Sequence, residues 1–436
     1  MRERRFLTRV VNVKPDEVTA LLWSFAYFFA LLCSYYILRP LRDEMGILGG
    51  VNKLQWVFTG TFLAMCIAVP IFAALAARLP RRRLLPSVYY FFVLNLLIFF
   101  ALFKSDIAVA SVARAFFIWV SVFNLFVVSV FWSFMADLFN NEQARRLFGF
   151  VAAGGSAGAI VGPFVTASLA KPVGVINLLL ISALLLLLAI VCIHRLSRWA
   201  TEDLPASTAE AGTAEVPIGG GVLDGVKLVL RSPYLLGICV YIWLYTTLST
   251  FLYFEQAHIV ANAYSDSASR TQLFAYMDLA VNTLTVIGQV LLTARIIARF
   301  GIAVTLALIP AAVALGFLVL AAFPVLAVLV VFQVIRRAGN FAIARPTREI
   351  LFTVVTREEK YKSKNFIDTV VYRGGDAVSG WAFAGLAGAG LGLSGIALLA
   401  APLALLWLHT GVALGRKQET LRGVTEARLP AQAPSS

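Results

Sequence analysis

Apolar runs of about twenty residues recur along almost the whole chain, from Leu21–Leu32 near its start to the stretch 392–414 near its end. A run of that length crosses a ~30 Å hydrocarbon core as a helix. With no water there to bond the backbone, each segment must satisfy its own N–H and C=O groups. Reading apolar runs between turn and charge signals gives spans near 17–39, 54–78, 84–103, 108–136, 147–169 and 174–195. A second set follows near 233–257, 272–297, 302–322, 325–344, 366–389 and 392–414. Only 14% of residues are charged, against about 25% in soluble domains, and no domain-sized polar segment remains. The expectation is an all-α integral membrane protein with twelve transmembrane helices in two six-helix halves. Residues 1–200 form the first bundle, 201–232 a cytoplasmic linker, 233–415 the second bundle and 416–436 a cytoplasmic tail.

The net charge of +14 raises the question of nucleic acid, and its distribution answers it. With the N-terminus inside, 27 of the 37 lysines and arginines fall on the inner side, seven outside and three within spans. That asymmetry places both termini in the cytoplasm and sets the excess positive charge against anionic lipid headgroups. The linker TEDLPASTAEAGTAEVPIGGG (201–221) has the composition of a flexible connector without a core. The basic N-terminus precedes an apolar run with no small-residue cleavage site, so it reads as a retained first span. Four cysteines lie in apolar runs, where they act as small packing residues, not as a disulfide or metal framework.

The halves echo each other. AARLPRRRLLP (76–86) after span 2 is matched by TARIIARFGI (293–302) after span 8, and NNEQARRLFGF (140–150) by TREEKYKSKNF (356–366). Six spans, a linker and six more with matching loops resemble the major-facilitator plan, although the usual Gly and Asp of the basic turn after span 2 are missing. Transporters of that plan bind substrate near the midplane between halves.

Charged groups within spans are costly, from roughly 2.5 kcal/mol upward at the centre, and mark functional candidates. Span 1 starts well, with Pro15 at the first helical position and Asp16 and Glu17 in the first turn. Its far end reads YYILRPLRDEMGI (35–47), about 36 Å along by Arg39. If the helix passes Pro40, Tyr35, Arg39, Arg42 and Asp43 share one face and Glu44 lies roughly opposite. Snorkelling at the interface competes with a cavity-lining role, but snorkelling needs no matched acids. In span 10, VIRRAGNFAIARP (334–346) places Arg336 and Arg337 near the bilayer centre, with Asn340 one turn on. One of them would otherwise be a strut paired with Asp278 or Asp376. Span 11 carries Arg373 and Asp376 three apart on one face, beside Gly374–Gly375, where a ligand or another backbone could approach. Gly154, Gly158 and Gly162, and Gly380, Ala384 and Gly388, are small-residue packing stripes. Glu255 lies about 33 Å past Pro233, close to the outer mouth, as gate or anchor.

Embedded arginines outnumber embedded acids, which favours an anionic substrate, since guanidinium matches phosphate or carboxylate in a bidentate way. Tyr35, Tyr36, Trp119, Phe131, Trp132, Tyr241 and Tyr372 offer stacking partners for a base. Walker, zincin and nucleophile-elbow signatures are absent and there are three histidines, so no enzymatic role, cofactor or metal is expected.

PTREILFTVVTREEKYKSKNFID (346–368) resembles the bacterial and plastid nucleotide transporters, the ATP/ADP antiporter family, which carry P-T-K-E followed by K-x-K-x-K-x-x-I-D. Here stand Pro346, Thr347, Arg348 and Glu349, then Lys360, Lys362, Lys364, Ile367 and Asp368. The opening stretch is similar too, with Tyr36, Ile37, Leu38, Arg39, Arg42 and Asp43 in place of the family's Tyr, Ile-Leu-Arg and Lys-Asp. Glu142, Ala144, Arg145 and Arg146 match its Glu, Ala, Lys, Arg after span 4. The resemblance implies a twelve-span, major-facilitator-like carrier that exchanges nucleotides by counter-transport; the expected location is the bacterial inner membrane, and no obligate protein partner is evident in the sequence. The resemblance also puts Arg42, Glu142 and Glu255 at positions important for transport. Two departures stand out: Asp376 replaces the lysine of the family's Gly-Lys-Ser-Gly-Gly element, and Glu44-Met45-Gly46 replaces a threonine and valines.

The candidate substrate-binding residues are therefore Arg39, Arg42, Arg336, Arg337, Asn340, Arg373 and Asp376. Those for gating or coupling are Asp43, Glu142, Glu255 and Asp278. A proton-coupled permease using Asp376, Asp278 or Glu255, and a receptor that kept the fold without the transport cycle, are the alternatives to nucleotide or organic-phosphate exchange.

Overall fold

The computed structural model describes residues 13–14, 17–78, 81–202 and 222–428. Pro15 and Asp16, the linker residues 203–221 and the tail from 429 lie outside the described residues. Helix accounts for the architecture, with no strand among the described residues. The first half comprises α1 (Val18–Leu48), α2 (Leu54–Arg78), α3 (Arg81–Lys104), α4 (Val109–Leu138), α5 (Asn141–Leu169) and α6 (Leu178–Glu202). A short α7 (Val222–Arg231) leads into α8 (Pro233–Ala263) and α9 (Ser267–Gly288), and a π-helical segment (Gln289–Thr293) joins α9 to α10 (Ala294–Ala322). After α11 (Leu326–Gly339) come a second π segment (Asn340–Ala344) and α12 (Arg345–Ile350). Then follow α13 (Arg357–Phe366), a third π segment (Ile367–Val371), α14 (Tyr372–Gly388) and α15 (Leu393–Arg428).

Among the described residues, ten helical runs are long and apolar enough to cross a membrane. One of them, Ser267–Ala322, has 56 residues, more than twice what a ~30 Å core needs. It breaks at Gly301, whose φ of 74° no helix contains, so it supplies two spans. The seventeen residues of α14, continued by the third π segment, supply the twelfth. Outward faces carry bare apolar side chains such as Ile67, Leu184, Val290 and Leu315, the surface that lipid covers. The stretch expected as a plain linker ends in α7, which packs on α13 because its apolar residues recur at helical spacing. The last span runs on into the expected tail, to Arg428.

The chain divides into two compact units, and each includes a segment from the other half of the sequence. The first holds residues 1–53, 63–215 and 264–282; the second holds 54–62, 216–263 and 283–436. Helix α9 thus begins in the first unit and ends in the second.

Close packing follows the glycines. In the first unit α5 lies against α1, and a Cβ on Gly154 would meet the Phe25 carbonyl at 2.6 Å and one on Gly162 that of Cys33 at 2.7 Å. Without a hydrophobic drive in lipid, such backbone approach is the main source of helix association. Buried hydroxyl pairs add polar ties, Ser34 with Ser182 at 2.7 Å and Tyr27 with Tyr89 at 2.6 Å. In the second unit a Cβ on Gly415 of α15 would collide with the Ala303 backbone of α10. The other stripe packs unevenly, since Gly380 meets Phe254 and Gln55 while Gly388 faces open space. The two matched loops begin in the same way, with a capping box of Asn140 and Gln143 at α5 and another of Thr356 and Glu359 at α13.

Candidate functional site

In the first unit, α1 does continue past Pro40, and its far end carries a run of ion pairs. Arg42 donates from Nε and Nη2 to Asp43 Oδ1 at 3.0 and 2.7 Å, with its guanidinium 5.0 Å from the Phe117 ring centre. Arg39 Nε lies 3.7 Å from Asp278 Oδ2, a buried carboxylate on α9. Glu44, fully buried, accepts a bidentate pair from Arg270 at 2.7 and 2.9 Å. Arg270 also donates to the Tyr264 carbonyl at 3.2 Å. The start of α9 is further tied to α5, with Gln272 donating to the Ala167 carbonyl at 2.8 Å and Asn282 to that of Ala159 at 2.6 Å. Residues 264–282 are therefore held to α1 and α5 through charge and backbone carbonyls.

Sequence reasoning assigns no role to Glu44 or Arg270. Glu44 does sit away from the Arg39 face, and a buried acid there must find a cation. That is the signal available for Arg270.

The second unit is built around α8, whose polar residues face three neighbouring helices. Arg336 of α11 donates from Nη1 to Ser249 at 2.7 Å and from Nε and Nη2 to Gln333 Oε1 at 3.3 and 2.9 Å. Gln333 in turn donates to Gln256 Oε1 at 2.8 Å. Thr250, next to Ser249, donates to Asp376 Oδ1 at 3.1 Å, and Asp376 lies 3.6 Å from Arg373 on the same helix face. Tyr245, one turn before Ser249, stands 6.0 Å from Tyr372, over whose ring the Arg373 guanidinium lies at 5.5 Å. Arg336 and Arg337 are both buried, and Asn340 turns its backbone N–H to their carbonyls.

Among the described residues no carboxylate pairs with Arg336. The expected struts are engaged elsewhere, Asp278 by Arg39 and Asp376 by Arg373 and Thr250. Of the two neighbours expected beside Gly375, a ligand or another chain segment, the structure places α8 there: a Cβ would meet Thr246 Oγ1 at 2.5 Å. Ser249, Gln256 and Gln333 escape the sequence reading, although Gln333 precedes Arg336 by three, the spacing of one helix face.

Two candidates lie apart from these groups. Glu142 is exposed at the start of α5, with Lys14 at 3.9 Å and Arg146 at 3.7 Å. Arg146 gives its better contacts to the buried Glu17, at 3.1 and 2.9 Å. Glu255 of α8 is fully buried, and neither carboxylate oxygen has a hydrogen-bond partner among the described residues. No three His, Cys, Asp or Glu side chains gather as a metal site among the described residues.

Comparison with known proteins bears on the fold. A model of the Major Facilitator Superfamily matches residues 20–361. A search of curated protein sequences finds no match. Among solved structures, the nucleoside transporter NupG is similar with a TM-score of 0.67 at 13% identity, covering 92% of this chain and 99% of its own. The POT family transporter PepTSo reaches 0.65 at 12%, covering 92% and 98%. A bacterial homologue of the iron transporter ferroportin in an inward-facing state reaches 0.62 at 12%, covering 91% and 98%. Identities this low speak for the fold alone. The family match spans well over half of a chain with twelve membrane helices, and the protein therefore belongs to the major facilitator superfamily of secondary transporters.

Proposed function

We propose that the chain exchanges nucleotides or related organic phosphates across the bacterial inner membrane by alternating access, with both termini cytoplasmic. The observation that carries this reading is Arg336, buried in span 10 with Ser249 and Gln333 as partners and, among the described residues, no acid to cancel its charge. A buried cation without a counter-ion is costly, and a substrate anion supplies what the protein withholds. Arg337, Arg373 and Asn340 add donors, and the Tyr245–Tyr372 pair offers faces on which a base stacks. The similarity of 346–368 to the ATP/ADP antiporters supports the phosphate class. On this reading Arg39, Arg42, Asp43 and Asp278, with Glu44 and Arg270, form a gate at the outer end of span 1. Purified protein in liposomes preloaded with unlabelled ATP or ADP should take up labelled nucleotide many-fold faster than in empty liposomes. Uptake that ignores the internal load would sink exchange.

One observation favours a second reading, proton coupling. Glu255 is buried without a hydrogen-bond partner among the described residues, so no donor holds a charge on it, as a proton carrier requires. A proton symporter would accumulate substrate in empty liposomes under an imposed pH gradient and lose that response in Glu255→Gln.

A further inference from the structure

Arg336 rests on a neutral platform. Its Nε and Nη2 share one acceptor, Gln333 Oε1, a forked approach that ordinarily meets a carboxylate. Gln333 is 1% exposed and Gln256 is 3% exposed, and the 2.8 Å bond from Gln333 Nε2 to Gln256 Oε1 decides which way the Gln333 amide points. With its nitrogen turned to Gln256, its oxygen faces the guanidinium. An amide oxygen orients the fork but cancels no charge. A glutamate of the same length would orient it and neutralise it, leaving a buried ion pair that asks nothing of a substrate. Arg39 and Arg42 of span 1 and Arg373 of span 11 meet such acids, so the amide at 333 departs from how those three cations are handled.

We infer that Gln333, fixed by Gln256, is a positioning residue that determines specificity: it orients Arg336 while leaving its charge open, so the site takes phosphorylated solutes and discriminates against their neutral counterparts. This rests on the reading that Arg336 meets the substrate anion. Gln256 acts one step further out. Without it the Gln333 amide is free to rotate and present its N–H groups to the guanidinium, which would push Arg336 out of register.

The test uses full-length protein with ATP, ADP and adenosine as probes, measuring binding affinity and melting temperature for Gln333→Glu, Arg336→Gln, the double variant and Gln256→Leu. Gln333→Glu should bind ATP and ADP on the order of 10–100-fold more weakly, the loss expected of one charge-assisted contact. It should melt at or above the wild-type temperature, because the buried cation gains a counter-ion. The double variant, in which the introduced carboxylate faces a neutral side chain, should melt below either single variant. Gln256→Leu should weaken nucleotide binding several-fold with adenosine binding unchanged. Wild-type nucleotide affinity in Gln333→Glu, with the melting coupling to Arg336 intact, overturns the role of the neutral platform. Additive melting shifts overturn the contact itself. If wild-type protein binds neither nucleotide, or Arg336→Gln binds them as wild type does, the organic-phosphate reading fails on its own account. The melting cycle then still decides whether 333 and 336 are coupled.

Discussion

At the far end of α1, Arg39 faces Asp278, Arg42 faces Asp43 and Arg270 clasps Glu44. In the second unit, Arg336 is as buried but leans on a hydroxyl and an amide. Both arrangements bond the guanidinium, and they differ in what is left over. Pairing two buried ions recovers part of the desolvation cost and leaves nothing to attract a ligand, whereas removing one member strands the other. Anchoring on neutral acceptors leaves the charge uncancelled. On the proposed reading, the first arrangement is a contact that holds and releases, and the second a site that substrate fills.

The largest effect should come from breaking the pair that is deepest. Glu44 is fully buried and bonded twice to Arg270. Arg270→Met should cost about 3–5 kcal/mol, because it leaves a buried carboxylate uncompensated. The double variant Glu44→Leu with Arg270→Met should recover most of that loss. Thermal unfolding of the two singles and the double checks this, and equal losses in all three would mean that the pair is not coupled. If the pair is also a gate, cysteines placed near residue 266 should be labelled faster by an impermeant reagent in the single variants.

Arg336→Gln sharpens the other side of the comparison. No carboxylate is stranded by it, so melting should fall by little, while nucleotide affinity falls about 10–100-fold for a lost charge-assisted bond of roughly 1.5–3 kcal/mol. Arg336→Lys should recover only part, since an ammonium lacks the planar fork. A melting loss as large as that of Arg270→Met, with affinity intact, would put Arg336 among the structural pairs.

Asp376 sits between the two arrangements. It is partly exposed and 3.6 Å from Arg373, a pair worth about 0–1 kcal/mol. Asp376→Asn keeps the oxygen that Thr250 bonds and releases Arg373 from its acid. Anion affinity should then rise a few-fold, on the order of 2–5-fold, in a direct binding measurement with ATP. A fall in affinity would assign Asp376 a direct contact with substrate.

How much of this was legible in the residues depends on the kind of signal. Span positions were, because apolar length and charged breaks are local properties. The continuation past Pro40 and the shared face of Arg373 and Asp376 were too, as both follow from helical spacing. The distant partners of Arg39 and Glu44 were not, because Asp278 lies 239 positions from Arg39 and Glu44 226 from Arg270, and no periodicity connects such pairs. The platform under Arg336 was hidden for another reason. Gln333 lies only three residues away, but a neutral amide in a span attracts less notice than an acid, and its importance lies in being uncharged. The glycines at 374–375 left two readings open: a missing side chain shows that something comes close but not what, and at Gly375 it is α8.

The smallest effect lies at the other end of α1, where a paired carboxylate stands just before the first membrane-spanning helix. Glu17 precedes the first span and accepts from Arg146 twice and from Gln143 Nε2 at 3.0 Å. Burial pushes its carboxyl up, but the bonds from Arg146 and Gln143 outweigh that and hold it below the ordinary glutamate value of 4.5. A carboxylate whose folded-state pKa is depressed contributes stability that is fully present above its unfolded value. That contribution is lost as pH falls through the folded-state value. Melting temperature should therefore be flat in this respect near neutral pH and decline on acidification below about pH 4.5. Glu17→Gln should melt lower than wild type at pH 7 and converge with it as pH falls, since protonation does to the wild type what the substitution did. A gap between the two that persists unchanged into acid would mean that Glu17 acts through packing, and that this pair, unlike Glu44 with Arg270, depends little on its charge.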